Sequence, residues 1–190
     1  SWIALGFSVL AACAWMSGDA RATDLLEPRG RIHIPIGVPN TLDSLKTFVE
    51  AEGNFSPGFG SYGVSYWIYD HTTKRAYAPT MPDVASTHGL HGTGWLIPWT
   101  EWKAGDVGVR TEVCQVMRTW REQELQVVGA RVHLTNAARE PRKLRLNVLI
   151  TPKGAAGAPV HQLEINGDTM FVNHQPALIS NEKPTGGQLP

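Results

Sequence analysis

The strongest constraint lies in residues 125–151 (LQVVGARVHLTNAAREPRKLRLNVLIT), where two runs of alternating apolar and polar residues flank a polar turn. Val127, Ala130, Val132 and Leu134 mark the first run, with Gly129 at a bulge or close approach. In the second, Leu144, Leu146, Val148 and Ile150 share one face, and Lys143, Arg145, Asn147 and Leu149 the other. Period two is the spacing at which a strand returns its side chains to one face, so each run predicts a strand with one face buried. Between them, Asn136 tolerates left-handed angles, while Pro141 fixes its own φ and has no N–H for a ladder. Together these features predict an antiparallel hairpin.

The remaining residues extend the pattern. Residues 31–38 (RIHIPIGV) alternate as a strand, and Pro35 confines it to an edge or a bulge. Residues 40–52 predict a short turn and then a strand. The spacing Gly58, Gly60, Gly63 matches a GxGxxG fingerprint. A strand-like run, 64–69, follows it instead of a helix, which excludes a phosphate cradle. A turn at 70–74 leads to a strand at 75–78. Residues 95–102 (WLIPWTEW) are apolar and aromatic, with Pro98 marking an edge, and 107–117 form a long strand. Asn166-Gly167-Asp168 joins strands 160–165 and 169–172 as a hairpin, and 175–179 adds one more. About ten short strands with turns at regular spacing predict an all-β antiparallel sandwich.

Composition narrows the function classes. Lys plus Arg and Asp plus Glu are both 17, so there is no basic surplus for nucleic acid or an anionic membrane surface. Residues 2–16 are apolar and uncharged, and Ala20-Arg21-Ala22 follows. This predicts a secretory signal peptide over 1–22, cut before Thr23, on a periplasmic or extracellular protein. The apolar run is shorter than the ~20 residues of a spanning helix. A rival is a lipobox, Leu10-Ala11-Ala12-Cys13, which leaves a lipidated Cys13. With Cys13 removed, Cys114 stands alone in a strand-like run, as a small buried hydrophobe.

No pattern assigns catalysis, a metal or a cofactor. His88 and His91 lie in a glycine-rich stretch that gives no rigid ligand geometry. Glu50 and Glu52 share a strand face but fit a solvated rim better than a pair straddling a sugar ring. Aromatics are the better lead. Alternation sends Tyr66 to one face and Trp67 with Tyr69 to the other; Trp95 and Trp99 share a parity, and Trp102 falls opposite. Trp67, Tyr69, Trp95, Trp99 and Trp102 are therefore the candidates for stacking on sugar or packing on a neighbouring domain.

Three stretches, LKTFVEAEGNFSPGFGSYGVSYWIYD, GTGWLIPWTEWKAGDVGVRTEV and ARVHLTNAAREPRKLRLNVLITPKGAAGAP, resemble the N-terminal β-sandwich of secreted bacterial six-hairpin glycosidases of the glucoamylase-like and debranching-like kind. The resemblance spans roughly residues 30–180 and rests on order and texture. It implies that 23–190 is an accessory sandwich, truncated at its C-terminus, whose partner is its own downstream (α/α)6 catalytic domain. The catalytic acids would lie in that domain, with oligo- or polysaccharide as a further partner. A free-standing periplasmic carbohydrate-binding module, or a surface sandwich that binds a protein, are the alternatives.

Overall fold

The computed structural model describes residues 3–11, 33–38, 40–42, 45–92, 94–152, 154–155, 157–181 and 186–188, with 3–11, 120 and 186–188 described by backbone alone. The fold is all-β. Its strands are β1 (Ile3–Ala11), β2 (His33–Ile36), β3 (Thr47–Glu50), β4 (Phe55–Ser56) and β5 (Gly63–Asp70). Next come β6 (Arg75–Tyr77), β7 (Ser86–Leu90), β8 (Pro98–Ala104), β9 (Val107–Trp120) and β10 (Gln123–Asn136). The series ends with β11 (Arg142–Thr151), β12 (Leu163–Asn166), β13 (Thr169–Val172), β14 (Gln175–Ile179) and β15 (Gly186–Gln188).

Eight strands form one sheet in the order β15-β1-β11-β5-β4-β3-β2, with β6 also paired to β5. Four form a second sheet, β10-β9-β8-β7, and three a small one, β12-β13-β14. The two larger sheets share one core, as a sandwich requires. Val64, Tyr66 and Ile68 of β5 and Leu144, Val148 and Ile150 of β11 contribute from one side. Trp102 and Ala104 of β8 and Val107, Val109 and Val113 of β9 contribute from the other, and Met170 and Val172 come from β13.

The expected hairpin over 125–151 is not formed. Both runs are strands, but β10 pairs with β9 along its whole length and β11 pairs with β5 in the other sheet. The β9–β10 turn explains the choice. Arg121 (φ 48°) and Glu122 (φ 66°) both lie in the left-handed region, the turn geometry that matches strand twist and closes a tight hairpin. After β10, Asn136 accepts the Ala138 N–H (3.0 Å) and donates to the Glu140 carbonyl (3.0 Å). This Asx turn carries the chain across to the first sheet. There Arg142 meets Asp106 at 2.7 Å and the buried Asp70 at 3.6 Å.

Two prolines behave differently. Pro35 sits on β2, at the end of its sheet, as expected. Pro98 does not mark an edge: β8 lies between β7 and β9, and Pro98 is its first residue, a place where no preceding ladder bond is interrupted.

Ile3–Ala11, within the expected signal segment, runs parallel to β11 from Ile3↔Arg142 to Ala11↔Ile150. Residues 12–22, including the expected cleavage site, lie outside the described residues. Among the described strands, β15 pairs only with β1. Loss of residues 1–22 therefore leaves β11 as a sheet edge, carrying the exposed charges Lys143 and Arg145 that suit such a position. In a chain starting at Thr23, the β11 amides directed away from β5 are expected to exchange roughly tenfold faster or more, while those bonded to β5 keep their protection. Equal protection of β11 in both chains, by amide hydrogen exchange, would contradict this arrangement.

Candidate functional site

The five aromatics singled out by the sequence occupy four environments. Trp67 and Tyr69 point to the outer face of the large sheet, opposite Asn147 and Arg145 of β11, and are half-buried. The Tyr69 ring meets His71 edge-on, with centroids 5.0 Å apart. Trp99 lies on the outer face of the second sheet. Its indole rests on Gly89, where an added Cβ would come within 2.7 Å of Cζ2. The Arg110 guanidinium covers it at 4.6 Å. That guanidinium is fixed by Glu101 and by Glu112 (Nε–Oε1 2.9 Å), whose other oxygen binds Arg131. Trp99 is thus already stacked against Arg110 and is partly buried.

Trp102 corrects the expectation. It is 3% exposed and belongs to the core, so its ring packs within the protein instead of standing open to solvent. Parity decides this: on β8, Pro98, Thr100, Trp102 and Ala104 face inward, and Glu101 and Lys103 face solvent. The charges at 101 and 103 were the signal that marked Trp99's side as outer and Trp102's as inner.

Trp95 is the opposite case. It sits on the β7–β8 connector, closed by the His91 N–H to Ile97 carbonyl bond (2.9 Å), and is 71% exposed. Leu90 (48%) and Leu96 (49%) are exposed on the same segment. The three leave apolar surface exposed along one short stretch of chain, here called the Leu90–Trp95–Leu96 ridge.

Glu50 is not on a solvated rim. It points to the outer face of β3, opposite His33 of β2, and its N–H donates to the Asn54 carbonyl at 2.8 Å. Asn54, Ser56 and Ser65 around it are buried. Glu50 Oε1 lies 3.7 Å from His33 Nδ1, and the side chain is 11% exposed. Burial raises its pKa from 4.5 to about 7, the charge of Glu52 adds to the rise, and Asn54 opposes it weakly. That weak interaction leaves Glu50 Oε2 and Asn54 Nδ2 without a hydrogen-bond partner. The void they share with Ser65 and Thr151 is about 10 Å³, room for a single water. A carboxyl with a pKa near 7 could serve as a general acid, but no sugar ring enters this void.

A larger opening was not foreseen. Where β10 diverges from the large sheet, a cleft of about 640 Å³ separates Phe55, Tyr66 and Val148 from Val128, Val132 and Leu178. Among the described residues, no charged side chain lines it. Tyr62 Oη donates to the Ala177 carbonyl at 3.2 Å and ties β14 to one wall. Burial pushes the Tyr62 hydroxyl up to about 12 and the Tyr66 hydroxyl upward too, so both stay neutral. The cleft depends on which strands lie opposite one another, and periodicity carries no such information.

Among the described residues, no group of three or more His, Cys, Asp or Glu side chains is placed to hold a metal, and His88 and His91 are both exposed. No helix among them is long and apolar enough to cross a membrane. No protein-family model, curated protein or solved structure matches this chain.

Proposed function

We propose that the chain is the non-catalytic accessory β-sandwich of an exported glycoside hydrolase, and that the ridge of Leu90, Trp95 and Leu96 packs on its downstream helical catalytic domain. The observation that carries this reading is the 71% exposure of Trp95 between two half-exposed leucines. Single exposed apolar residues are ordinary, but three between the end of β7 and the start of β8 make a patch of the kind a partner covers. The resemblance to six-hairpin glycosidases supplies the partner, and the free indole of Trp95 also suits stacking on a sugar at the edge of a substrate cleft.

The native product, extracted from its source cells, is expected to exceed this chain's 20.8 kDa several-fold and to hydrolyse an α- or β-glucan. In that product Trp95→Ala with Leu96→Ser should lower the melting midpoint by about 3 °C, and in the isolated chain the same pair should leave it unchanged. A native product of the chain's own size, with sugar-dependent Trp fluorescence that saturates, overturns the accessory role in favour of a free-standing binding module.

A further inference from the structure

We infer that the cleft between the sheets binds a neutral, elongated apolar molecule of the acyl-chain class. Its volume of about 640 Å³ falls within the ~300–1,000 Å³ range of small-molecule sites. Its floor is preformed, because Val64, Tyr66 and Val148 are buried side chains on the paired strands β5 and β11. Among the described residues the lining contains no Asp, Glu, Lys, Arg or His, so none of them would pair with a carboxylate, phosphate or ammonium group. The Tyr62 hydroxyl is already committed to the Ala177 carbonyl. The inserted part of the ligand is therefore uncharged.

The opening has the same character. Val127 and Ile179, 41% and 73% exposed, flank it and continue the apolar wall out to solvent. Asn181 beside them gives the mouth a polar group for a hydroxyl head. Valine, leucine and tyrosine side chains on both walls, with no charged group among the described lining residues, fit a neutral chain-like molecule better than a charged one.

The test titrates the full chain with N-phenyl-1-naphthylamine, a neutral probe whose emission rises in apolar surroundings. Saturable binding with a Kd on the order of micromolar, displaced by hexadecan-1-ol, is expected. Amide shifts in the parent should fall on β5, β10, β11 and β14; shifts confined to the Leu90–Trp95–Leu96 ridge overturn the inference. Ala177→Trp, which fills the cleft, and Val128→Lys, which adds a charge to its wall, should each weaken binding about tenfold or more in folded protein. Unsaturable fluorescence, unchanged affinity in a folded variant, or probe release that tracks dimer formation in sedimentation also overturns it.

Discussion

Trp102→Ala is expected to destabilise the chain by about 3–5 kcal/mol, the cost of deleting a large aromatic from a packed core. Trp95→Ala should change stability by less than about 0.5 kcal/mol, because its ring is 71% exposed and makes little of the core. Trp102 is 3% exposed and lies opposite Val109 in a row that faces the large sheet. Truncation there removes contacts on several sides at once, and the two sheets can close only part of the gap. Trp102→Phe separates packing from polarity. The indole Nε1 is buried without a hydrogen-bond partner, so Phe loses volume but also removes an orphan donor. Its net cost should stay below about 1.5 kcal/mol. Denaturant unfolding of the three variants checks the order, and a Trp102→Ala variant as stable as Trp95→Ala would remove Trp102 from the core.

That contrast shows what alternation encodes. Period two separated Tyr66 from Trp67 and Tyr69 correctly, since Tyr66 is buried and the other two point outward. It placed Gly129 at a close approach, and an added Cβ there would stand 3.0 Å from Cys114 Sγ on β9. The turn at Asn166-Gly167-Asp168 was legible because left-handed backbone favours glycine, and Gly167 has φ 66°. Alternation gives a residue its face but not its strand a neighbour. Hence β10 and β11 were both recognised while their partners were not, and the cleft between them stayed invisible. Fifteen strands among the described residues, where about ten were expected, follow in part from short pieces such as β4, two residues long, which have no period of their own. Glu50 was misplaced for a related reason: β2, β4 and β5 bury it, and those neighbours are set by tertiary pairing.

Glu50 leads to the second large effect, a loss of stability as pH rises from about 5 to about 8. Its carboxyl has a pKa of about 7 in the fold against 4.5 as a free side chain, chiefly because burial disfavours the charged form. A raised folded-state pKa means the native state holds this proton more tightly than the unfolded chain does. The stabilisation is complete below about pH 4.5 and is lost as pH rises through about 7. Discounted for the solvent contact that the side chain keeps, the change should be about 2 kcal/mol, most of it between pH 5 and 8. Glu50→Gln keeps the shape, cannot ionise and offers an amide N–H near the orphaned void. It should match the parent at pH 5, exceed it by about 2 kcal/mol at pH 8, and show a flatter profile between. Two other ionisable groups face the carboxyl: His33 at 3.7 Å and Glu52, whose charge raises its pKa. Glu52→Gln should therefore shift the parent's transition to lower pH, and His33→Gln removes the neighbouring imidazole as a control. Urea unfolding at closely spaced pH values measures all four chains. A parent profile flat from pH 5 to 8, or an equal slope in Glu50→Gln, would mean that the carboxyl is solvated and that the pocket formed by Asn54, Ser65 and Thr151 does not close over it.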